Sequence, residues 1–346
     1  MKRSFMFICA AALLLTGCGA SADEASAQLF AMDTVMQLDA YGHQVKQAVS
    51  DAEETIQALE ARLSRTREDS LVSVLNQNGA AQDLSAEEQA LLSEALTFRD
   101  ATGGAFDITI APVMDAWGFT GDSYRVPAQD ELDALLENVN SDEIRLSGSS
   151  VTLGAGQAID LGGIAKGYTS DCVEAVFREN KIESGKISLG GNVFVLGGKP
   201  DGADWRVGIR DPQDENALAA VLTLRDAYAI TSGGYERYFE ENGKTYHHII
   251  DPATGYPADS GLLSVTVVAK ANGSDFTGPG NGTMCDAFST ALFVMGEERA
   301  LEFWQTGGYD FDLVLVTADG RVIITDGLSD RFEVVKDSGY TYETVS

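Results

Sequence analysis

Hydrophobic positions recur along this chain in two rhythms. Over residues 44–63 the apolar residues Val45, Ala48, Val49, Ala52, Ile56, Leu59 and Leu63 fall three and four apart, as on one face of a helix. A second helix is predicted from Ser85, where Glu88 three residues on completes a capping-box pattern. Gly103-Gly104 ends it, and residues 105–110 read as a strand or extended segment. A third helix is predicted over 129–139, and 144–153 reads as a hairpin.

The second half alternates differently. A short apolar segment, 157–161, runs as a strand into Gly162-Gly163, and a helix is predicted over 165–180. Strands then crowd together at 186–189, 193–196, 205–209, 219–224 and 228–231. Asn242-Gly243 is a two-residue hairpin signal, 262–269 a buried strand, and 285–295 a helix that restarts after Gly296. Residues 311–316 and 321–325 form a last hairpin around Asp319-Gly320. Runs of strands broken by single helices argue for an α+β fold, with antiparallel or mixed sheets packed against helices. No linker divides the body, so one catalytic domain is expected over 29–346.

The N-terminus follows another logic. Met1-Lys2-Arg3 is basic, and 5–15 is an uncharged apolar run too short to cross a bilayer as a helix. Leu15-Thr16-Gly17-Cys18 resembles the lipobox of bacterial lipoprotein precursors. The expectation is a signal peptide over 1–17, an acylated Cys18, and a flexible tether over 18–28. The protein would then be exported and lipid-anchored to the cell membrane, its catalytic domain extracytoplasmic. Beyond the leader and Cys18 only Cys172 and Cys285 remain, so no disulfide framework holds the fold.

Charge narrows the partners. With 53 acidic and 24 basic residues the net charge is −29, which repels nucleic acid and anionic lipid surfaces. A small anionic ligand is still compatible, provided a divalent cation reverses the local sign.

Five segments carry candidate chemistry. Asp160-Leu161-Gly162-Gly163-Ile164-Ala165-Lys166 turns into a helix start, where backbone N–H groups and a lysine suit an anion; a tight turn with a surface lysine is the plainer reading. Asp286 and Thr290 lie four apart on one helix face, a hard-oxygen pair suited to Mg²⁺; helix capping is the plainer reading. Of His247 and His248, neighbours in a strand, only one can face a site, and a histidine there can serve as general base. Phe106-Asp107-Ile108-Thr109 with Trp117-Gly118-Phe119, and Ser232-Gly233-Gly234-Tyr235-Glu236-Arg237, offer aromatic faces and charged groups.

The order and wording of these segments together resemble the ApbE family of FAD:protein FMN transferases. Met32-Asp33-Thr34, Leu189-Gly190-Gly191-Asn192, Asp251-Pro252 with Thr254-Gly255, and 286–296 extend the likeness over about 29–330. The resemblance implies a T-fold-like α+β body of two lobes with FAD in the cleft between them. It implies that Asp286, Thr290 and the backbone carbonyl of Gly163 ligate Mg²⁺. Met32, Ala105, Phe106, Asp107, Asp160, Lys166 and Ile249 would line the FAD site. The chain departs from the family in three places. Asp33 stands where a glycine is usual, the position near Thr66 is often aromatic in relatives, and 271–283 is a Gly-rich insertion.

The reaction expected from this is magnesium-dependent transfer of FMN from FAD to a Thr or Ser hydroxyl of an acceptor protein, releasing AMP, with His248 as base. The acceptor would be a flavoprotein subunit of a membrane redox complex or an extracytoplasmic electron-transfer domain. Two alternatives are a pyrophosphatase that splits FAD into FMN and AMP, and a non-catalytic FAD-binding lipoprotein.

Overall fold

The computed structural model describes residues 23–121, 123–273, 276 and 278–346. The expected signal peptide and Cys18 lie outside them. A nine-stranded sheet organises the chain. Its strands stand side by side in chain order: Asp23–Ala31, Thr34–Gly42, Ser184–Leu189, Asn192–Leu196, Ala227–Gly233, Leu262–Lys270, Asp312–Thr317, Arg321–Thr325 and Thr341–Val345. All neighbours pair antiparallel except the last two, which pair parallel. The fold is α+β with a mixed sheet, as the strand-rich pattern predicts.

Period-two alternation explains the layering. In the central strands Ile230, Val265, Val267, Leu313, Leu315 and Ile323 join the main core. Their neighbours Ala229, Val268, Val314, Val316 and Ile324 join a second core on the opposite face. Helices Val45–Leu63, Ala165–Glu179 and Asn281–Met295 supply the first core. A smaller sheet of Trp205–Asp211, Asp214–Leu224 and Phe332–Val334 supplies the second. A third cluster gathers Val113, Trp117, Phe119, Leu132 and Ile250, with the hairpin residues Phe239 and Tyr246 packed on it.

Several expectations need correction. Residues 23–28, taken as tether, belong to the strand Asp23–Ala31, because Ala25, Ala27 and Leu29 alternate onto the core. Residues 105–110 are not a strand: Asp107 caps a 3₁₀ turn, Ile108–Ile110, that leads into helix Ala111–Trp117. No strand forms over 157–161. Helix Asn281–Met295 begins four residues before Cys285, so the end of the insertion is its first turn. The helix Leu71–Asn78 was not anticipated; Ser70 caps it by accepting from the Ser73 N–H at 2.9 Å. The helix from Ala86 does carry its reciprocal Ser85–Glu88 cap.

Candidate active site

A cleft of about 830 Å³ opens beside the ends of the central strands. Met32, Ala105, Phe106, Asp107, Asp160, Gly163, Lys166, His248, Ile249, Asp286 and Thr290 all line it. The residues singled out in the sequence therefore come together in one cleft. Their surroundings say what each can do.

Two hairpin turns form one rim. Met32 (φ 49°) and Asp33 (φ 59°) both occupy the left-handed region, as a two-residue turn between right-twisted strands requires. Asp is among the few non-glycine residues that tolerate it, so the departure from glycine at Asp33 leaves the turn intact. The Met32 N–H donates to Glu60 Oε1 at 3.0 Å, tying the turn to helix Val45–Leu63. Beside it lies the Gly190-Gly191 turn, where a Cβ on Gly190 would strike the Thr34 side chain.

The floor is a close crossing of helices Ala165–Glu179 and Asn281–Met295. A Cβ on Gly167 would run into the Gly282 carbonyl, and one on Gly282 would come within 2.7 Å of the Gly167 carbonyl oxygen. This contact brings Asp286 under the start of the first helix, where its Oδ2 accepts the Gly167 N–H at 2.8 Å. Asp286 is only 3% exposed. Burial raises its carboxyl, while the Lys166 charge, the Gly167 N–H and the Asn192 amide act the other way. One turn on, Thr290 Oγ1 sits 3.5 Å from where a Gly163 Cβ would stand. Ser232 Oγ is 3.1 Å from Thr290 Oγ1 and 2.8 Å from Ser289 Oγ. The Asp286 carboxylate, the Thr290 hydroxyl and the Gly163 backbone are thus neighbours.

A second carboxylate holds this helix from behind. Asp171, fully buried, accepts N–H bonds from Gly280, Gly282 and Thr283 and from the Asn272 amide, each 2.8 Å, as well as the Thr283 hydroxyl. It therefore satisfies the N–H groups that open helix Asn281–Met295, which its own glycine cap cannot. Glu174 and Tyr228 complete this network around Asn272.

The strand Lys244–His247 ends at the first histidine and His248 lies in the bend just beyond it, so the two are not strand neighbours as expected, yet their rings still face different surroundings. The His247 ring packs edge-on against Phe293, with Nε2 3.1 Å from the Ala258 carbonyl. His248 faces the cleft, its Nδ1 3.2 Å from the Arg237 carbonyl oxygen. A carbonyl only accepts, so Nδ1 carries the proton and Nε2 keeps its lone pair. Burial, then the Lys166 and Arg237 charges, push His248 down to about 3, which keeps it neutral.

Asp107 and Asp160 reach the cleft with side chains already engaged. Asp107 Oδ1 accepts from the Thr109 N–H and hydroxyl at 2.8 and 2.6 Å, and from Ser141 Oγ. Asp160 Oδ1 accepts the Gly162 N–H at 2.7 Å, shaping the turn, and its Oδ2 pairs with Arg65 at 2.8 Å. Arg65 was missed in the sequence, as were Arg210 and Glu60 on the cleft wall. Arg65 reaches both oxygens of Asp115 at 2.9 Å and also Thr120, so it ties its own loop to the end of helix Ala111–Trp117 and to the Asp160 turn. Only its neighbour Thr66 had drawn notice.

Among the described residues no cluster of three His, Cys, Asp or Glu is placed to hold a metal. The set here is instead one carboxylate, one hydroxyl and one carbonyl, all hard oxygen donors of the kind Mg²⁺ takes with retained waters. The buried Asn192 amide lies beside the Asp286 carboxylate without a well-formed hydrogen bond at either polar atom, which fits a site completed by a further polar group.

Residues 32–311 match the profile of the ApbE family. A Treponema pallidum (strain Nichols) protein named FAD:protein FMN transferase is 32% identical over 312 residues, covering 84% of this chain and 83% of its own length. A Klebsiella pneumoniae (strain 342) protein of the same name is 36% identical over 242 residues, covering 68% and 70%. Among solved structures, the ApbE protein of Thermotoga maritima superposes with a TM-score of 0.81 at 29% identity, over 89% of this chain and 99% of that one. The flavin transferase ApbE of Vibrio cholerae superposes with a TM-score of 0.74 at 25% identity, over 92% and 98%. Profile, relatives and fold agree over most of the length, and the chain belongs to the ApbE family.

Proposed function

We propose that this protein is an FAD:protein FMN transferase that moves the FMN part of FAD onto a Thr or Ser hydroxyl of an acceptor protein and releases AMP, using Mg²⁺. The observation that carries this reading is the convergence of Asp286, Thr290 and Gly163 next to Lys166 and a neutral His248 in one cleft. The relatives named for that activity support it.

Asp286, Thr290 and the Gly163 carbonyl would hold the metal. Bound there, Mg²⁺ would withdraw charge from the FAD pyrophosphate. Lys166 lies beside Asp286 and Glu236, and the Gly162-Gly163 turn offers backbone to the phosphates. Phe106 and the Met32 turn form apolar wall for a flavin or adenine ring. His248 Nε2 takes the acceptor hydroxyl proton as the oxygen attacks the phosphorus on the FMN side. The new P–O bond forms as the bond to the AMP oxygen breaks, and AMP leaves. A pyrophosphate nearby would draw the imidazole back up from about 3, improving it as a base. We also propose that the chain is exported and anchored by a lipid on Cys18, with its acceptor at the same membrane. The test reads the products. The protein is incubated with FAD, Mg²⁺ and a flavin-acceptor domain, and the acceptor is weighed by mass spectrometry. An acceptor heavier by one FMN, with AMP released in equal amount, supports transfer. FMN and AMP free in solution with an unmodified acceptor would make the protein a pyrophosphatase instead.

A further inference from the structure

Asn192 opens the strand that leaves the Gly190-Gly191 turn, so the turn fixes where its side chain goes. The residue is 1% exposed, yet neither Oδ1 nor Nδ2 has a hydrogen-bond partner. Among the described residues it is the only side chain with two such orphaned buried atoms. A primary amide buried this way, near Asp286 but with no well-formed hydrogen bond, recovers little of its desolvation cost, and native proteins rarely tolerate that unless a further polar group completes the bonding. The amide stands beside Asp286, near enough to favour the ionised carboxylate. The Gly190-Gly191 turn and Asp286 both line the cleft.

We infer that Asn192 belongs to the metal site, its amide holding a water of the magnesium shell and so orienting the ion against Asp286 and Thr290. This rests on the magnesium-dependent reading above. Three protein donors would leave Mg²⁺ room for phosphate oxygens and water, and Mg²⁺ gives up its waters reluctantly. A water held between the ion and Asn192 would satisfy the amide and fix the metal's orientation. Partners of this outer kind commonly set metal affinity within about ten- to a hundredfold. Asn192 is thus a positioning residue and does not touch the reacting phosphorus.

The test follows FAD binding by flavin fluorescence while Mg²⁺ is titrated. Wild type, Asn192→Leu, Asn192→Asp and Asp286→Ala are compared. Leucine matches the amide in size and removes both orphaned atoms, so its heat-unfolding midpoint without magnesium is not lowered. Its magnesium midpoint rises about tenfold or more. Asn192→Asp, which keeps an oxygen in place, returns to within a few-fold of wild type. A leucine variant with the wild-type magnesium midpoint overturns the inference and leaves the metal site standing. An Asp286→Ala variant with that midpoint, or a wild type indifferent to magnesium, overturns the metal reading itself and this inference with it.

Discussion

The amide N–H of Gly167 donates to Asp286 Oδ2 at 2.8 Å, so the start of one helix grips the carboxylate of another. A methyl on Gly167 would stand 2.6 Å from the Asp286 Cβ and press into the Gly282 carbonyl. Gly167→Ala should therefore spread the helices, destabilise the protein by about 1–3 kcal/mol and weaken magnesium dependence. Urea unfolding and a magnesium titration of activity check both. A variant unchanged in stability and in magnesium response would mean that the crossing is not tight.

Asp171 should matter without touching the cleft. Asp171→Asn keeps the shape but loses the charge and an acceptor facing the opening N–H groups of helix Asn281–Met295. It should cost about 1–3 kcal/mol in urea unfolding. A midpoint equal to wild type would show that this cap is dispensable.

Arg65 should act on FAD. Its fork spans Asp115 and Asp160. A lysine is a point charge and cannot reproduce that fork. Arg65→Lys should raise the KM for FAD about tenfold with little change in kcat, since it disturbs a wall common to ground and transition states. A fall in kcat at constant KM would place Arg65 in the chemistry.

His248 separates binding from transfer. His248→Ala should lower kcat by about 10²–10⁴-fold and leave FAD affinity nearly unchanged. Equal transfer by the variant across a pH series would remove it as the base.

The same histidine predicts an acid-side loss of stability. His248 is lowered to about 3 in the native protein and returns to about 6.5 when the chain unfolds. Between these values the unfolded chain holds a proton that the native one lacks. Stability from this residue is therefore whole above about pH 6.5 and falls as pH drops toward about 3. In His248→Asn the urea midpoint should fall less from about pH 7 to about pH 5 than in wild type. Identical slopes would contradict the depressed value.

Most residues of the candidate cleft could be picked out in the sequence because they sit in short local motifs. Asp160 to Lys166 forms one turn and helix start, and Asp286 and Thr290 share one helix face. What it hid depends on distant chain segments. Arg65 is an ordinary arginine until Asp115 and Asp160 arrive beside it. Asp171 reads as a polar residue in a helix, and only the fold brings Gly282 to it. Helix Ala111–Trp117 was missed because its β-branched approach, Ile108-Thr109-Ile110, favours strand by propensity, while Asp107 caps it instead. Residues 23–28 read as tether because small and polar residues dominate; pairing with Thr34–Gly42 makes them an edge strand.

The most direct test of the account is flavin fluorescence on the acceptor band after denaturing electrophoresis. Wild type with FAD and Mg²⁺ should give a fluorescent acceptor, while EDTA or Asp286→Ala should give none. An acceptor band equally fluorescent with Asp286→Ala would contradict the metal site around which the mechanism is built, and a dark band with wild type over a range of acceptor domains would contradict FMN transfer itself.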